Sequence, residues 1–409
     1  MQNTPKASSK NVWLIILVAS LGYFVDIYDL VIFSIVRVQS LKDIGVAPDA
    51  IREAGVYIIN VQMAGLLLGG FIWGTLGDRM GRLKVLFGSI LLYSLANIAN
   101  GFVETVDAYA IIRFIAGIGL AGELGAGITL VSETMSKEKR GYGTMIVAGI
   151  GVLGAAGAFY VSELFNWRNA YFVGGAMGIL LLFLRVGVLE SSMFKKVADT
   201  TIQKGRFSML FANRERGWRY VYCILISLPI WFVMGILITQ SPEIGEALGA
   251  PVALSGGRGV MLCYIGTCVG EIFAGFIAQW FKSRKIAMLV FLILSLIVSY
   301  IYLGSKGLTP ERFVYLAFFM GFAVGYWATF VTIVSEQFGT NLRATATTTA
   351  PNFVRGALIP ISFLFEFIVA KADIITAGYV VMTVLTAIAL FALSKLKESF
   401  NKDLDYVEN

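Results

Sequence analysis

The stretch Gly74-Thr-Leu-Gly-Asp78-Arg79-Met-Gly-Arg82-Leu-Lys84 puts a compact polar and basic segment between two apolar runs. A degenerate copy, Gly275-Phe-Ile-Ala-Gln279-Trp-Phe-Lys282-Ser-Arg284-Lys285, follows at an offset of 201 residues. A second echo is sharper: Ser132-Glu133 with Arg140 returns as Ser335-Glu336 with Arg343, at an offset of 203. Two echoes at nearly one offset indicate an internal duplication.

The repeated unit is apolar. Of 409 residues, 57% are hydrophobic and 14% charged, against about 25% charged in soluble domains. Apolar runs long enough to cross a bilayer lie near 12–38, 55–76, 85–103, 108–134, 141–162, 169–188, 219–241, 257–281, 286–304, 312–336, 344–369 and 376–395. The expected fold class is therefore an all-α membrane protein of twelve transmembrane helices in two pseudo-symmetric six-helix bundles. The expected divisions are a first bundle at 1–189, a basic inter-bundle linker at 190–218, a second bundle at 219–396 and a tail at 397–409. No cleavable signal peptide is expected, because the first apolar run is too long for an h-region and lacks a small-residue cleavage site.

The net charge of +7 is explained by its distribution rather than by a nucleic-acid partner. Lys and Arg crowd the even-numbered loops (Arg79, Arg82 and Lys84; Lys137, Lys139 and Arg140; Lys195 to Arg216; Lys282, Arg284 and Lys285). The positive-inside rule makes those loops cytoplasmic, so both termini are expected inside, most simply at a bacterial inner membrane. Cys223, Cys263 and Cys268 all fall within spans, where they read as small buried apolar side chains.

With the spans placed, the motifs resemble the major facilitator superfamily across essentially the whole chain. The 74–84 stretch looks like its loop 2–3 signature. "RFIAGIGLAGE" from Arg113 to Glu123, "NWRNAYFVGG" at 166–175 and "RVGVLESSMF" at 185–194 are similar to the span 4 and span 6 regions of the sugar porters and metabolite:proton symporters. "VDIYD" at 25–29 and the Gly122-Glu123 pair lean toward the latter group. Two features depart from the pattern: span 5 has Gly149, Gly151, Gly154 and Gly157 but no proline, unlike drug exporters, and Gln279 stands where an acid belongs.

Charges inside the spans carry the functional reading, since each costs roughly 2.5–3.5 kcal/mol at the bilayer centre unless it meets a partner, a cavity or a proton. Asp26 and Asp29 share one helical face at i, i+3. The sequence has no histidine, so any coupled proton must ride on a carboxylate. Asp26, Asp29, Arg113 and Glu123 form the candidate proton-coupling set, and the resemblance to proton-coupled sugar porters gives the span 1 Asp and span 4 Arg these roles. A static ion network that only fixes packing is the alternative. Glu271 is a further buried acid without an assigned role.

Arg355, in "APNFVRGALIP" at 350–360, is the leading substrate ligand, because its fork suits a carboxylate. Asn352, Tyr28, Gln62, Trp231 and Tyr326 complete the candidate substrate set, and Pro351 and Pro360 are expected to bend or break span 11 beside them. Asp78, Arg79, Arg82, Glu133, Arg140, Glu336 and Arg343 read as a cytoplasmic gate of ion pairs.

The chain offers no nucleotide-binding loop, Cys/His metal cluster or activated nucleophile. Neither enzymatic activity, a metal nor a cofactor is expected. The reading is a monomeric secondary transporter that takes up a small organic metabolite with protons by alternating access, a carboxylate favoured. The alternatives are an exporter or antiporter of an organic or metal cation, and a transporter-like sensor.

Overall fold

The computed structural model describes residues 9–80, 82–122, 140–189, 207–400 and 408. Glu123, Glu133 and most of the linker lie outside them. Among the described residues the first half holds α1 (Ser9–Asp43), α2 (Ile51–Met80), α3 (Arg82–Asn100), α4 (Val106–Leu120), α5 (Arg140–Leu164) and α6 (Trp167–Leu189). The second half holds α7 (Arg214–Leu225), α8 (Leu228–Phe232), α9 (Ser241–Ala247), α10 (Gly256–Trp280), α11 (Arg284–Leu303), α12 (Pro310–Ala323), α13 (Trp327–Gln337), α14 (Thr340–Gly356), α15 (Leu358–Lys371) and α16 (Ile374–Lys395).

Among the described residues, nine helical stretches are long and apolar enough to cross a membrane. Two shorter apolar helices, Val85–Asn100 and Gly149–Leu164, and α4, which runs to the edge of the described residues, take the places of the other three expected spans. Helix starts are set by side-chain caps that satisfy otherwise orphaned N–H groups. Thr105, Asn213, Ser255, Ser283, Thr309 and Asp373 each accept a hydrogen bond from an amide in the first turn that follows.

The duplication is written into the helix crossings. A Cβ on Gly65 or Gly69 of α2 would lie 2.2 or 2.5 Å from the carbonyl oxygens of Phe114 or Ile118 on α4, and one on Gly117 would lie 2.3 Å from Gln62 O. In the second half, a Cβ on Gly266 or Gly270 of α10 would collide with Phe318 O or Phe322 O, and one on Gly321 of α12 with Cys263 O. The offsets are 201 for the first two glycines and 204 for the third. Only residues without a side chain permit such backbone contact. The glycines of spans 2 and 4 thus serve close helix packing, and a Cβ on Gly154 of span 5 would likewise collide with Phe24 O of α1.

Regular helix is interrupted in the second half. Span 7 breaks before Pro229 and continues as a π turn, Val233–Ile238; span 10 breaks at 324–326; span 11 breaks at Ala357, between Pro351 and Pro360. Broken helices at membrane depth belong beside a cavity or inside protein. The first two breaks are buried, and Ala357 at the third is partly buried. Cys223 and Cys263 are buried and Cys268 partly so, all as free thiols.

Candidate functional site

The charge cluster of the first half assembles around Arg113. Its Nη1 donates to Asp29 Oδ1 at 2.8 Å and to Asn97 Oδ1 at 3.2 Å, its Nη2 to the Asp29 carbonyl at 2.7 Å, and its Nε to Gln62 Oε1 at 3.2 Å. The ring of Tyr171 lies 5.7 Å from the guanidinium carbon. Asp29 and Arg113 are both fully buried. Buried pairs of this kind hold together because the desolvation each ion suffers is offset only by the other. Removing the Asp29 charge therefore leaves Arg113 with neutral acceptors alone.

Gln62 is the cluster's boundary. While Oε1 accepts from Arg113, Nε2 donates to Leu30 O at 3.3 Å. Gln62 and Leu30 also line a small cavity between the halves, together with Ser34 and Met63 on one side and Trp231, Thr239 and Tyr264 on the other. Its free volume of about 20 Å³ suits a water molecule and not an organic solute.

Arg355 lies in the second half of the interface, 4% exposed. Its guanidinium carbon stands 5.7 Å from the Trp231 ring and 5.6 Å from the Trp327 ring. None of the ion pairs among the described residues includes Arg355. Its Nε and the nearby Trp231 Nε1 are buried donors with no acceptor among the described residues. Asp26 lies within electrostatic range of Arg355, and Tyr23 of α1 sits within range of Asp26, Arg355 and Glu271.

The other expected ligands scatter. Asn352 packs at the α14 crossing with the first half, its Nδ2 reaching Ala121 O at 3.5 Å and Thr348 O at 3.4 Å. Tyr28 is turned away from the cavity and donates to Ala170 O of α6 at 2.7 Å. Tyr326 is fully buried at the span 10 break, against Phe291. Glu271 is partly buried on α10.

Of the expected gate residues, Asp78 and Arg79 close α2, Arg82 opens α3 and Arg140 opens α5, their side chains lying outside the described set. Glu336 pairs with Arg284 at 3.3 Å and accepts from Ser399 at 2.7 Å, while Arg343 Nε donates to Ser335 O at 3.0 Å. These contacts stay within the second half. The sequence reading missed the ion pairs that join the halves at the end remote from the chain termini. There Arg37, 1% exposed, reaches Glu243 at 2.7 Å and Thr239 O at 3.1 Å, and Arg52 reaches Glu366 at 2.6 Å. Arg37 carried a usable signal, being a charge at the end of the first apolar run.

Comparison with known proteins agrees with this architecture. The niacin transporter NiaP of Acinetobacter baylyi is 26% identical over 359 residues, covering 80% of each chain. The benzoate transport protein of the same species is 31% identical over 202 residues, 47% of this chain and 42% of that one. Among solved structures, the xylose transporter XylE from E. coli in a partially occluded inward-open conformation superposes with a TM-score of 0.72 at 16% identity, covering 97% of this chain and 100% of that one. The profile of the Major Facilitator Superfamily matches residues 13–362, and the chain belongs to that family.

Proposed function

We propose that this protein takes up a small organic carboxylate, with an aromatic acid favoured, together with protons by alternating access. The observation that carries the reading is Arg355. An arginine buried among Trp231 and Trp327, with no ion pair among the described residues and an unfilled donor at Nε, is costly unless an anion completes it. A planar acid would present its carboxylate to the guanidinium and its ring to the indoles, which already favour the cation by about 0.5–2 kcal/mol. The relatives named for niacin and benzoate support that class. The cation-export reading has less support, since Asp29 is already neutralised by Arg113.

Asp29 and Arg113 carry the proton chemistry: a proton on Asp29 would free Arg113, and its loss would recapture it. Asp26 and Glu123 complete the coupling set. The protein would act as a monomer in a bacterial inner membrane, with the bundles at 1–189 and 219–396, the linker at 190–218 and the tail at 397–409. With the termini inside, the Arg37 and Arg52 pairs seal the outer face. Asp78, Arg79, Arg82, Glu133, Arg140, Glu336 and Arg343 would regroup across the halves to close the inner one.

Calorimetry with benzoate and benzamide tests the reading. Losing a charge-assisted bond costs about 1.5–3 kcal/mol, or roughly 10- to 150-fold in affinity. Arg355→Ala should nearly eliminate benzoate binding, and Arg355→Lys should keep a weakened remnant. Equal affinity of the wild type for acid and amide would overturn it.

A further inference from the structure

We propose that Gln62 is the positioning residue that transmits the protonation state of Asp29 to the cavity between the halves. The inference rests on the carboxylate reading only for its second test. Gln62 is 1% exposed and is the one cavity-lining side chain hydrogen-bonded to Arg113 among the described residues. Its amide is held at both ends, Oε1 by Arg113 Nε and Nε2 by Leu30 O. An amide is planar and rigid, so a shift at one end displaces the other. Nε2 carries two N–H groups, and the contact to Leu30 O uses one.

Both directions of transmission follow. When Asp29 is neutralised, the strongest of the four bonds on Arg113 weakens, and the guanidinium redistributes onto the Asp29 carbonyl, Asn97 Oδ1 and Gln62 Oε1. The Gln62 amide then moves with it, at the cavity wall. In the opposite direction, an anion accepting the second Nε2–H polarises the amide and makes Oε1 a better acceptor for Arg113. Arg113 then depends less on the Asp29 charge, and Asp29 takes a proton more readily. Linkage makes the two effects equal in size.

The surroundings leave few other routes. The charged and titratable groups around the pair are Tyr28 and, one turn earlier, Asp26 on α1, Tyr109 on α4 and Tyr171 on α6. Tyr28 and Tyr171 spend their hydroxyl contacts within the first half, on Ala170 O and Tyr109. Asn97 of α3 is likewise buried there. Among the described residues, Gln62 alone combines a bond to the pair with a place at the cavity.

The first test needs no ligand. Trp231 shares the cavity with Gln62, so its fluorescence, isolated as the difference from Trp231→Phe in each background, is titrated between about pH 4 and 9. Arg355 also faces Trp231 and Asp26 lies within electrostatic range of Arg355, and the Asp29→Asn background separates their contribution. The expected result is a titration in wild type that Asp29→Asn abolishes and Gln62→Met reduces at least fivefold, with the Asp29 carboxyl band still titrating in infrared difference spectra. Gln62→Asn, which keeps the amide but shortens its reach, should behave as Gln62→Met does and serves where that variant does not fold. Retention of the full Asp29-dependent amplitude in either variant, or its absence in wild type, would overturn the proposal. In the second test, benzoate affinity should rise about tenfold per unit fall in pH in wild type and less than twofold in Gln62→Met; equal slopes would overturn the relay. A wild type that does not bind benzoate counts against the substrate reading alone, and the first measurement then decides.

Discussion

Glu243→Gln should open the outer face much more than Arg37→Met, although each removes one partner of the same ion pair. Arg37 is 1% exposed and uses Nη2 alone, on Glu243 and Thr239 O, while its Nε and Nη1 are buried without acceptors. The Glu243 side chain is 21% exposed and can take water. Replacing Glu243 removes the charge-assisted bond and strands a buried guanidinium, a loss of about 1.5–3 kcal/mol at least. Replacing Arg37 gives up the same bond but also relieves two unsatisfied donors worth about 1–3 kcal/mol each, so the net change is close to zero. At about 1.4 kcal/mol per factor of ten, the open fraction should rise roughly 10- to 150-fold in Glu243→Gln and less than about threefold in Arg37→Met. The reporter is Ser34→Cys, which lines the cavity, in a background with Cys223, Cys263 and Cys268 replaced by alanine. Its labelling by an impermeant thiol reagent from outside follows the open fraction. Labelling as fast in Arg37→Met as in Glu243→Gln would refute the reasoning.

Asp29→Asn should abolish accumulation of substrate against a gradient while preserving part of the exchange between equal pools in proteoliposomes, because exchange moves no net proton; full proton-driven accumulation would remove Asp29 from the coupling role. Gly266→Ala places a Cβ 2.0 Å from the Phe318 carbonyl and should cost about 1–3 kcal/mol, whereas Gly275→Ala on the same helix meets nothing within 4 Å and should be neutral or gain up to about 1 kcal/mol; thermal melting of the two purified variants checks the order. Burial at the base of the second half raises the Glu398 pKa, but hydrogen bonds from Ser283 and from the backbone amides of Phe400, Arg284 and Lys285 outweigh it and hold the carboxyl below its usual range. Its contribution to docking of residues 397–400 is therefore full above the ordinary glutamate pKa of about 4.3 and is lost as pH falls through the lowered native value. Proteolysis near Lys397 should accelerate below about pH 4 in wild type and already be fast at pH 7 in Glu398→Gln.

Much of the architecture was legible because a bilayer imposes it. Apolar length marks the spans, and the cost of an intramembrane charge singles out Asp29 and Arg113, which meet at 2.8 Å. The prolines at 351 and 360 foretold the break at Ala357. The break at 324–326 carried no proline. It arises where Gly325 and Gly270 bring two backbones together, a pairing of residues 55 apart that no local pattern encodes. The direction of Tyr28, whose hydroxyl donates to Ala170 O, was not legible for a related reason. One face of α1 holds both Asp26 and Asp29, but rotation of the helix by a fraction of a turn decides whether a neighbour looks into the cavity or toward α6. The Arg37 and Glu243 partnership depends on how the halves dock, which is a property of the assembled surface.

The glycine crossings of α2 with α4 and of α10 with α12 have a mechanical consequence. Where backbone rests on backbone through several successive turns, there are no long side chains to swing and no soft layer to shear. Each half is thereby stiffened as a block, and the compliance of the molecule is concentrated at the seam between blocks, where Arg37, Gln62, Trp231 and Arg355 sit. Under the proposed function, a proton or a solute arriving at that seam would act on the whole lever at once. The free energy of binding would then have little internal slack in which to dissipate before turning one block against the other.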